Sequence, residues 1–330
     1  MRDNSSIPEG SDARLTGDAE KAKIAVLIPC LNEEITIAKV VTDFRAALLG
    51  ATVYVYDNDS TDGSAEAARR AGAVVRSEPL RGKGNVVRRM FADIDADIYV
   101  LVDGDDTYDA GSAPAMVTRL VERNLDIVNG RRTGNPEKAY RWGHRMGNAV
   151  LTTSVAKLFG NRFQDIESGY KIFSRRFVKS FPITISTGFQ IEPEIAIHAL
   201  ELKMPTDEMP TPYRARPEGS LSKLRTFRDG IGTLWAIFLL LKEERPLAFF
   251  TTAFIVLAGM SFGFGTPVII TFVKTGLVPR FPTAILATGL MLLAFLSLAC
   301  GLILDTVTRG RKETKRLQYL MLDPPQRRRR

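Results

Sequence analysis

Two long stretches without a charged residue lie in the last third of the chain, and they limit its possible folds more than any other feature. They cover residues 247–273 and 281–304. Each is long enough to cross a bilayer as a tilted helix, and buried helices of soluble proteins rarely run so long without a charge. The short link KTGLVPR between them predicts a transmembrane helical hairpin over 247–305.

The charges beside this hairpin predict its orientation. KEER precedes the first stretch and RGRKETKR follows the second. Because basic flanks favour the cytoplasmic side, we expect an integral protein of the cytoplasmic (inner) membrane with both termini in the cytosol. Residues 306–330 would form a basic cytoplasmic tail. Residues 222–246, with Trp235 among apolar residues and charges at both ends, are typical of an interfacial amphipathic helix, the alternative being a helix packed on the soluble part.

The amino-acid composition further limits the class of protein and its possible partners. Residues 1–22 are polar with mixed charge, which favours a flexible N-terminal tail over a signal peptide. The two cysteines are far apart and indicate neither a disulfide framework nor a zinc site. The formal net charge of +8 suits an anionic membrane or a phosphorylated substrate. Nucleic acid is not expected as a partner, because no aromatic residues interleave with the basic patches.

Between residues 23 and 221, strand-like and helix-like segments alternate. Short apolar runs such as IAVLIP, ATVYVYD and DIYVLVD are separated by segments with helical spacing, such as EEITIAKVVTDFRAAL. This alternation predicts an α/β domain with a largely parallel sheet, in which ligands bind beyond the carboxyl ends of the strands. Those ends carry PCLNEE, DNDSTDGS, RGKG, DGDD and GRR, so polar side chains collect at one edge.

The densest of these segments is VLVDGDDTYDA, residues 100–110, with four aspartates within seven positions. Asp103 and Asp105 end the fourth predicted strand and can both offer oxygen to one Mg²⁺ or Mn²⁺ that also binds substrate phosphates. A solvated acidic loop is the alternative. For Asp106, direct ligation and a supporting or capping role remain equally open.

The loop RGKGNVV, residues 81–87, has the competing interpretation of a dinucleotide-binding fingerprint. Val87 stands where the third glycine would be, and the loop follows the third strand instead of the first. Two glycines and Lys83 can still approach a phosphate closely.

Taken together, IPCLNEE, DNDSTDGS, RGKGNVVRRM, LVDGDDTYD, GRR, DIESGYKIFSRR, FQIEPEI and RPEGSLSK resemble, in content and order, family 2 glycosyltransferases of the GT-A fold. The resemblance spans about residues 23–305 and is strongest to the polyprenyl-phosphate (dolichyl- or undecaprenyl-phosphate) glycosyltransferases. It implies a Rossmann-like GT-A domain over 23–221 and inverting, Mg²⁺- or Mn²⁺-dependent transfer of a hexose from a UDP- or GDP-sugar to a lipid phosphate. It also implies a homo-oligomer, with a tetramer as the guess.

The resemblance also implies roles for individual residues. Those expected to bind the nucleotide sugar are Pro29, Asn32, Glu34, Asp57, Arg81, Lys83, Asp103 and Glu194. Those expected at the acceptor phosphate are Arg131, Arg216, Ser222 and Lys223. Asp103 and Asp105 would bind the metal, and the residues expected to be catalytic are Asp105, Arg131 and Asp165.

For several of these residues a second interpretation remains open. Asp165 is either a carboxylate near the reacting sugar or a loop acid that fixes the backbone before Gly169. Glu192 and Glu194 either bind sugar hydroxyls or are first-turn acids favoured by the helix dipole. The sequence departs from the family's common DDGS at Asn58 and Asp59, which leaves the identity of the base, uracil or guanine, open.

The expected chemistry needs no strong base. A phosphate monoester has a second pKa of about 6 and is already mostly ionised at neutral pH. Glucose is favoured as the transferred sugar, with mannose from GDP-mannose as the alternative. A processive synthase is disfavoured because KAYRW lacks the glutamine of QxxRW. An inactive membrane-tethered scaffold that binds nucleotide sugars remains the alternative from another class.

Overall fold

The computed structural model describes residues 22–133, 163–181, 191–217 and 242–323. The chain divides into two compact units. The first comprises Met1–Gly230 together with Lys315–Arg330, and the second comprises Ile231–Thr314.

The first unit is built on a seven-stranded mixed sheet with the order β3-β2-β1-β4-β6-β5-β7. β1, β2, β3 and β4 are mutually parallel, β6 runs antiparallel to both of its neighbours, and β5 pairs parallel with β7. The strands are β1 Ile24–Cys30, β2 Thr52–Asp57, β3 Val74–Ser77, β4 Ile98–Leu101, β5 Ile127–Thr133, β6 Lys171–Ser174 and β7 Thr206–Pro212.

Helices of this unit pack on the sheet through their apolar sides. β1 and β4 are almost entirely buried, and the core runs from them to the inward residues of the first and fourth helices. The helices are α1 Ile37–Ala47, α2 Ser64–Arg70, α3 Lys83–Asp93, α4 Ala113–Glu122, α5 Arg175–Ser180 and α6 Ile191–Glu201. The predicted α/β fold is confirmed.

Two strands were not predicted, for different reasons. β6 has only four residues and begins with Lys171, whose side chain is almost completely buried. β7 has the sequence TDEMPTP and is an edge strand, where proline can be accommodated because its missing N–H faces away from the ladder. Neither segment has the apolar pattern from which a strand is inferred.

The second unit contains two long antiparallel helices, α7 Pro246–Thr275 and most of α8 Phe281–Leu320. Both are long and apolar enough to cross a membrane. They pack closely: Ser261 Oγ donates to the Ala287 carbonyl at 2.7 Å, and a Cβ on Gly301 would lie only 2.8 Å from the Cβ of Phe250. Small residues at such crossings let two helices approach without water between them.

The last turns of α8 belong to the first unit and lie in the segment interpreted from sequence as a basic tail. That segment is helical as far as Leu320. The Tyr319 hydroxyl donates to buried Asp126 at 2.7 Å, and the Arg176 guanidinium both pairs with Asp126 and stacks on the Tyr319 ring. Lys315 pairs with Glu201 at 2.9 Å. These contacts make Lys315–Leu320 part of the packed first unit.

This arrangement predicts that Tyr319→Phe destabilises the first unit. Asp126 would keep Arg176 and Ser174 as partners, so we expect a loss of about 1–2 kcal/mol for one hydrogen bond to a buried carboxylate. Thermal unfolding of the detergent-purified protein measures it. Tyr54→Phe is the matched control, because the Tyr54 hydroxyl has no partner among the described residues. Equal melting temperatures for the two variants would contradict the prediction.

Candidate active site

The loops that follow β1 and β2 are tied together by the residues expected to bind the nucleotide. Asn32, with a left-handed φ of 49°, accepts a hydrogen bond from Thr61 N–H at 2.8 Å through its side-chain oxygen. Glu34 accepts from Gly63 N–H at 3.1 Å, and a Cβ on Gly63 would collide with this carboxylate. Asn32 and Glu34 therefore hold the loop after β1 against the loop after β2.

Asp57, at the end of β2, carries a carboxylate oxygen that no described residue contacts through a hydrogen bond. Its Oδ2 accepts from Ser60 N–H at 3.2 Å. Its Oδ1 is buried and has no hydrogen-bond partner in the part of the chain that the structure describes. A buried carboxylate oxygen without a donor is costly, so this atom suits the N–H of a bound ligand.

Asn58, the first departure from the common family sequence, is buried and structural. Its Nδ2 donates to the carbonyls of Glu78 and Leu80, at 2.7 and 2.8 Å, while its Oδ1 accepts from Gly82 N–H at 2.7 Å. An ionised aspartate at this position could not donate either of the two bonds. The amide thus attaches the loop after β3 to the end of β2.

Arg81, expected near the donor phosphates, is exposed and pairs with Asp59. The two side chains meet at 2.9–3.0 Å. Asp59 has a φ of 62°, a conformation that aspartate tolerates better than most residues. Pro29 lies at the end of β1, where its carbonyl is close to Gly104.

The four aspartates of residues 103–109 separate into two groups. Asp106 pairs with Lys39 at 2.8 Å, and Asp109 pairs with Arg214 at 3.2 Å. Asp106 has a left-handed φ of 58°, so the chain turns there and carries these two side chains to surface cations. For Asp106 the geometry favours the supporting role over direct ligation.

Asp103 is partly exposed and shares a cation with a second carboxylate. The Lys83 ammonium, at the first residue of α3, bridges Asp103 and Glu192, the latter from α6. Burial lowers the pKa of Lys83, but the two adjacent carboxylates outweigh it and hold that pKa above its ordinary value. Gly169 packs so tightly against Asp103 that a Cβ there would overlap the carboxylate.

Asp105 is almost fully buried and has a partner on each oxygen. Thr107 Oγ1 donates to Oδ1 at 2.6 Å, and the Arg216 guanidinium pairs with Oδ2 at 2.7 Å. Burial and the charge of Asp103 raise the pKa of Asp105, while Arg216 and Thr107 oppose the rise.

These two carboxylates fit a hard divalent cation that is also held by substrate phosphates. Among the described residues, no group of three or more His, Cys, Asp or Glu could hold a metal ion. Mg²⁺ commonly takes only one or two carboxylates and completes its shell with phosphates and water. The charge of Asp103 already penalises ionised Asp105, and a cation between them would remove that penalty.

Asp165 is locked by Arg132. The Arg132 side chain donates to both carboxylate oxygens, at 2.6 and 2.7 Å, and its backbone N–H donates to Oδ2 at 3.2 Å. Burial raises the pKa of Asp165, but these bonds prevail and hold it below its ordinary value. A carboxylate so strongly stabilised as an anion is a weak proton acceptor, so the geometry favours positioning over base catalysis.

Glu167 is a candidate that the sequence analysis did not identify. Its turn is held rigidly: Ser168 Oγ donates to the Gly130 carbonyl at 2.5 Å, Gly169 N–H donates to the Tyr108 hydroxyl at 2.7 Å, and Lys171 donates to the Ile166 carbonyl at 3.1 Å. Glu167 alone has no hydrogen bond or ion pair in the described part of the turn's surroundings.

The environment of Glu167 is unfavourable to its charge. Burial raises its pKa to about 7, the nearby charge of Arg132 opposes this, and Asp165 and Glu192 add to it. Lys171 lies in the same cluster, and burial lowers its own pKa to about 8. The motif DIESG offered no sign of this, because the burial and the neighbouring carboxylates come from distant segments.

The remaining predicted residues either pair with other side chains away from Asp103 and Asp105 or lie outside the residues that the structure describes. Glu194 pairs with Arg88 at 3.4 Å. Arg131 contacts Gln164 and lines a polar cavity of about 420 Å³ beside β5 and β7. Ser222 and Lys223, predicted at the acceptor phosphate, lie outside the described residues, as does most of the predicted interfacial helix.

Comparison with known proteins agrees with this geometry. Residues 25–182 match the family described as Glycosyl transferase family 2. Glycosyltransferase AglJ of Haloferax volcanii is 36% identical over 228 residues, covering 69% of this chain and 75% of AglJ. The chain belongs to glycosyl transferase family 2. Protein RfbJ of Shigella flexneri is 58% identical over 123 residues, 37% of this chain and 95% of RfbJ.

Two further relatives bear on substrate and metal. A dolichyl-phosphate hexose transferase of H. volcanii is 28% identical over 222 residues, covering 67% of this chain and 95% of that protein. Glucosyl-3-phosphoglycerate synthase from Mycobacterium tuberculosis, solved with Mn²⁺, UDP and glucosyl-3-phosphoglycerate, has a TM-score of 0.56 at 25% identity, covering 70% of this chain and 85% of that one. This family 2 enzyme therefore has the predicted GT-A fold and uses a nucleotide sugar.

Glu167 gives a pH-dependent prediction. Because its folded pKa is raised to about 7 from 4.5, the folded state binds more protons than the unfolded state between those values, and stability is lost as pH rises through that window. We expect Glu167→Gln to stabilise the protein by about 2–3 kcal/mol at pH 8 and to give no gain below pH 4.5. Thermal unfolding at both pH values measures it.

The control is Glu66→Gln, which removes an exposed glutamate from α2. A stabilisation of Glu167→Gln that does not change between the two pH values, or one that Glu66→Gln reproduces, would contradict the assignment.

Proposed function

We propose that the protein transfers a hexose, with inversion, from a nucleoside-diphosphate sugar to a polyprenyl phosphate at the cytoplasmic membrane. The observation that carries the proposal is the pairing of an Asp103–Asp105 site at the carboxyl edge of the sheet with two membrane-length helices in one chain. A soluble acceptor would not require that anchor. The dolichyl-phosphate hexose transferase relative supports a lipid phosphate as the acceptor.

The donor would bind along the carboxyl ends of β1, β2 and β4. Asp57 Oδ1, buried and without a partner among the described residues, is the acceptor for a base N–H. Asp103 and Asp105 are the residues that would hold Mg²⁺ or Mn²⁺. Bound there, the cation would stabilise the departing diphosphate as a Lewis acid. Lys83 pairs with Asp103 and holds it in place.

The acceptor phosphate would attack without a general base, because it is already ionised near neutral pH. Asp165 is held as an anion by Arg132, which agrees with a role in orienting the sugar. Arg131 and Arg216 supply positive charge for the acceptor phosphate, since two anions must approach each other. Glu167 and Glu192 offer carboxylate oxygens to sugar hydroxyls.

Glucose is the sugar we favour, and the solved relative is named glucosyl-3-phosphoglycerate synthase. Mannose from GDP-mannose is the second candidate. We further propose that the large unit and both termini face the cytosol, in keeping with the basic flanks of the two helices.

A direct test offers the detergent-purified protein undecaprenyl phosphate and, separately, UDP-glucose, UDP-galactose and GDP-mannose, with Mn²⁺ or with EDTA. We expect one donor, UDP-glucose, to give an EDTA-sensitive glycolipid detected by mass. Asp105→Asn should reduce the rate by about 10³-fold or more, because one metal ligand is lost.

Asp109→Asn is the matched control, since Asp109 lies in the same segment but pairs with Arg214 at the surface. Full activity of Asp105→Asn would overturn the metal site. Nucleotide binding without transfer to any lipid phosphate would favour the alternative of an inactive scaffold.

A further inference from the structure

Arg216 pairs with one oxygen of Asp105, a carboxylate predicted to bind the metal. Oδ1 is committed to Thr107, which donates from its hydroxyl at 2.6 Å and from its backbone N–H at 3.3 Å. Oδ2 is paired with the Arg216 guanidinium at 2.7 Å. Oδ1 thus already accepts two hydrogen bonds, and a cation that binds Oδ2 competes with the Arg216 guanidinium for that oxygen.

Thr107 is the partner that stays. It is completely buried and lies two residues after Asp105 in the same loop. Arg216 lies beyond the end of β7, outside any helix or strand, and its side chain is 29% exposed. Its guanidinium also lies 3.9 Å from Glu33. Movement of Arg216 disturbs no regular element, whereas movement of Thr107 would disrupt the turn that forms the site.

Asp103 differs in this respect. Its cation, Lys83, is anchored in α3 and is shared with Glu192. Removing Lys83 would take the shared cation from both Asp103 and buried Glu192. Among the described residues that pair with Asp103 and Asp105, Arg216 is thus the more easily displaced cation. Its departure would remove one positive charge as a divalent cation enters, which limits the change in local charge.

We propose that Arg216 is a stand-in counter-ion for the metal, and that the metal-bound donor displaces it toward the acceptor phosphate. This inference rests on the proposed function. It assigns Arg216 two successive partners: Asp105, as observed, and the acceptor phosphate once the metal-bound donor is in place. The acceptor phosphate would then meet its arginine only after the donor has bound, so the two substrates bind in a fixed order.

The test measures Mn²⁺ binding to the full-length protein in detergent, without nucleotide, by the electron paramagnetic resonance signal of free Mn²⁺. Arg216→Ala removes the competing cation, so we expect its affinity for Mn²⁺ to rise about tenfold over wild type. Arg216→Lys keeps the charge and should stay near wild type. Arg214→Ala, two residues away and paired with Asp109, is the matched control and should not change.

A second arm measures an acceptor probe, undecaprenyl phosphate, in the presence of Mn²⁺ and UDP. Arg216→Ala should weaken its binding about tenfold, whereas Arg214→Ala should not. Unchanged Mn²⁺ affinity in Arg216→Ala, or an equal gain in Arg214→Ala, would overturn the inference even if wild type binds Mn²⁺ together with UDP. Failure of wild type to bind Mn²⁺ in the presence of UDP would overturn the proposed function as well.

Discussion

The site is organised by the repulsion between Asp103 and Asp105, two like charges brought together at the end of a buried strand. Burial and this repulsion both favour protonation of Asp105. Lys83 pairs with Asp103 from a helix, and Arg216 pairs with Asp105 from a chain segment beyond the sheet. Protein cations among the described residues therefore balance the charge of the pair. The four aspartates of the segment differ in their partners. Asp103 and Asp105 pair with Lys83 and Arg216. The other two pair with Lys39 and Arg214.

A second feature is a rigid turn that carries a destabilising residue. Residues 165–171 are held by Arg132, Tyr108 and Lys171, and the turn packs on Asp103 through Gly169. Within it, Glu167 lies near Asp165 and Glu192 with a raised pKa. A carboxylate that lowers stability at neutral pH, in a turn with so little freedom, is typical of a group kept for ligand binding. Asp165, beside it, behaves in the opposite way, because Arg132 stabilises its ionised form and lowers its pKa.

Sequence patterns predicted the parts of this structure that depend on local order. The apolar runs of β1, β2 and β4, the positions of the polar loops and the two long apolar helices are all found in the structure. What could not be predicted depends on contacts between distant segments. Lys171 is buried inside β6, Arg132 captures Asp165, and Tyr319 reaches Asp126 across 193 positions of the chain. Lysine and arginine side chains are normally found at the protein surface, so nothing in the sequence was a reason to expect buried ones. Asn58 was visible as a departure from the family sequence, but its role in fixing the loop after β3 needed the structure.

The claim on which this account depends is that Asp103 and Asp105 bind the nucleotide through a metal. It is tested most directly by the affinity of the purified protein for UDP, measured by calorimetry with Mn²⁺ and again with EDTA. We predict that EDTA weakens UDP binding at least about tenfold in wild type. We also predict that Asp103→Asn binds UDP with the same low affinity in both conditions. Equal UDP affinity of the wild type with Mn²⁺ and with EDTA would contradict the account.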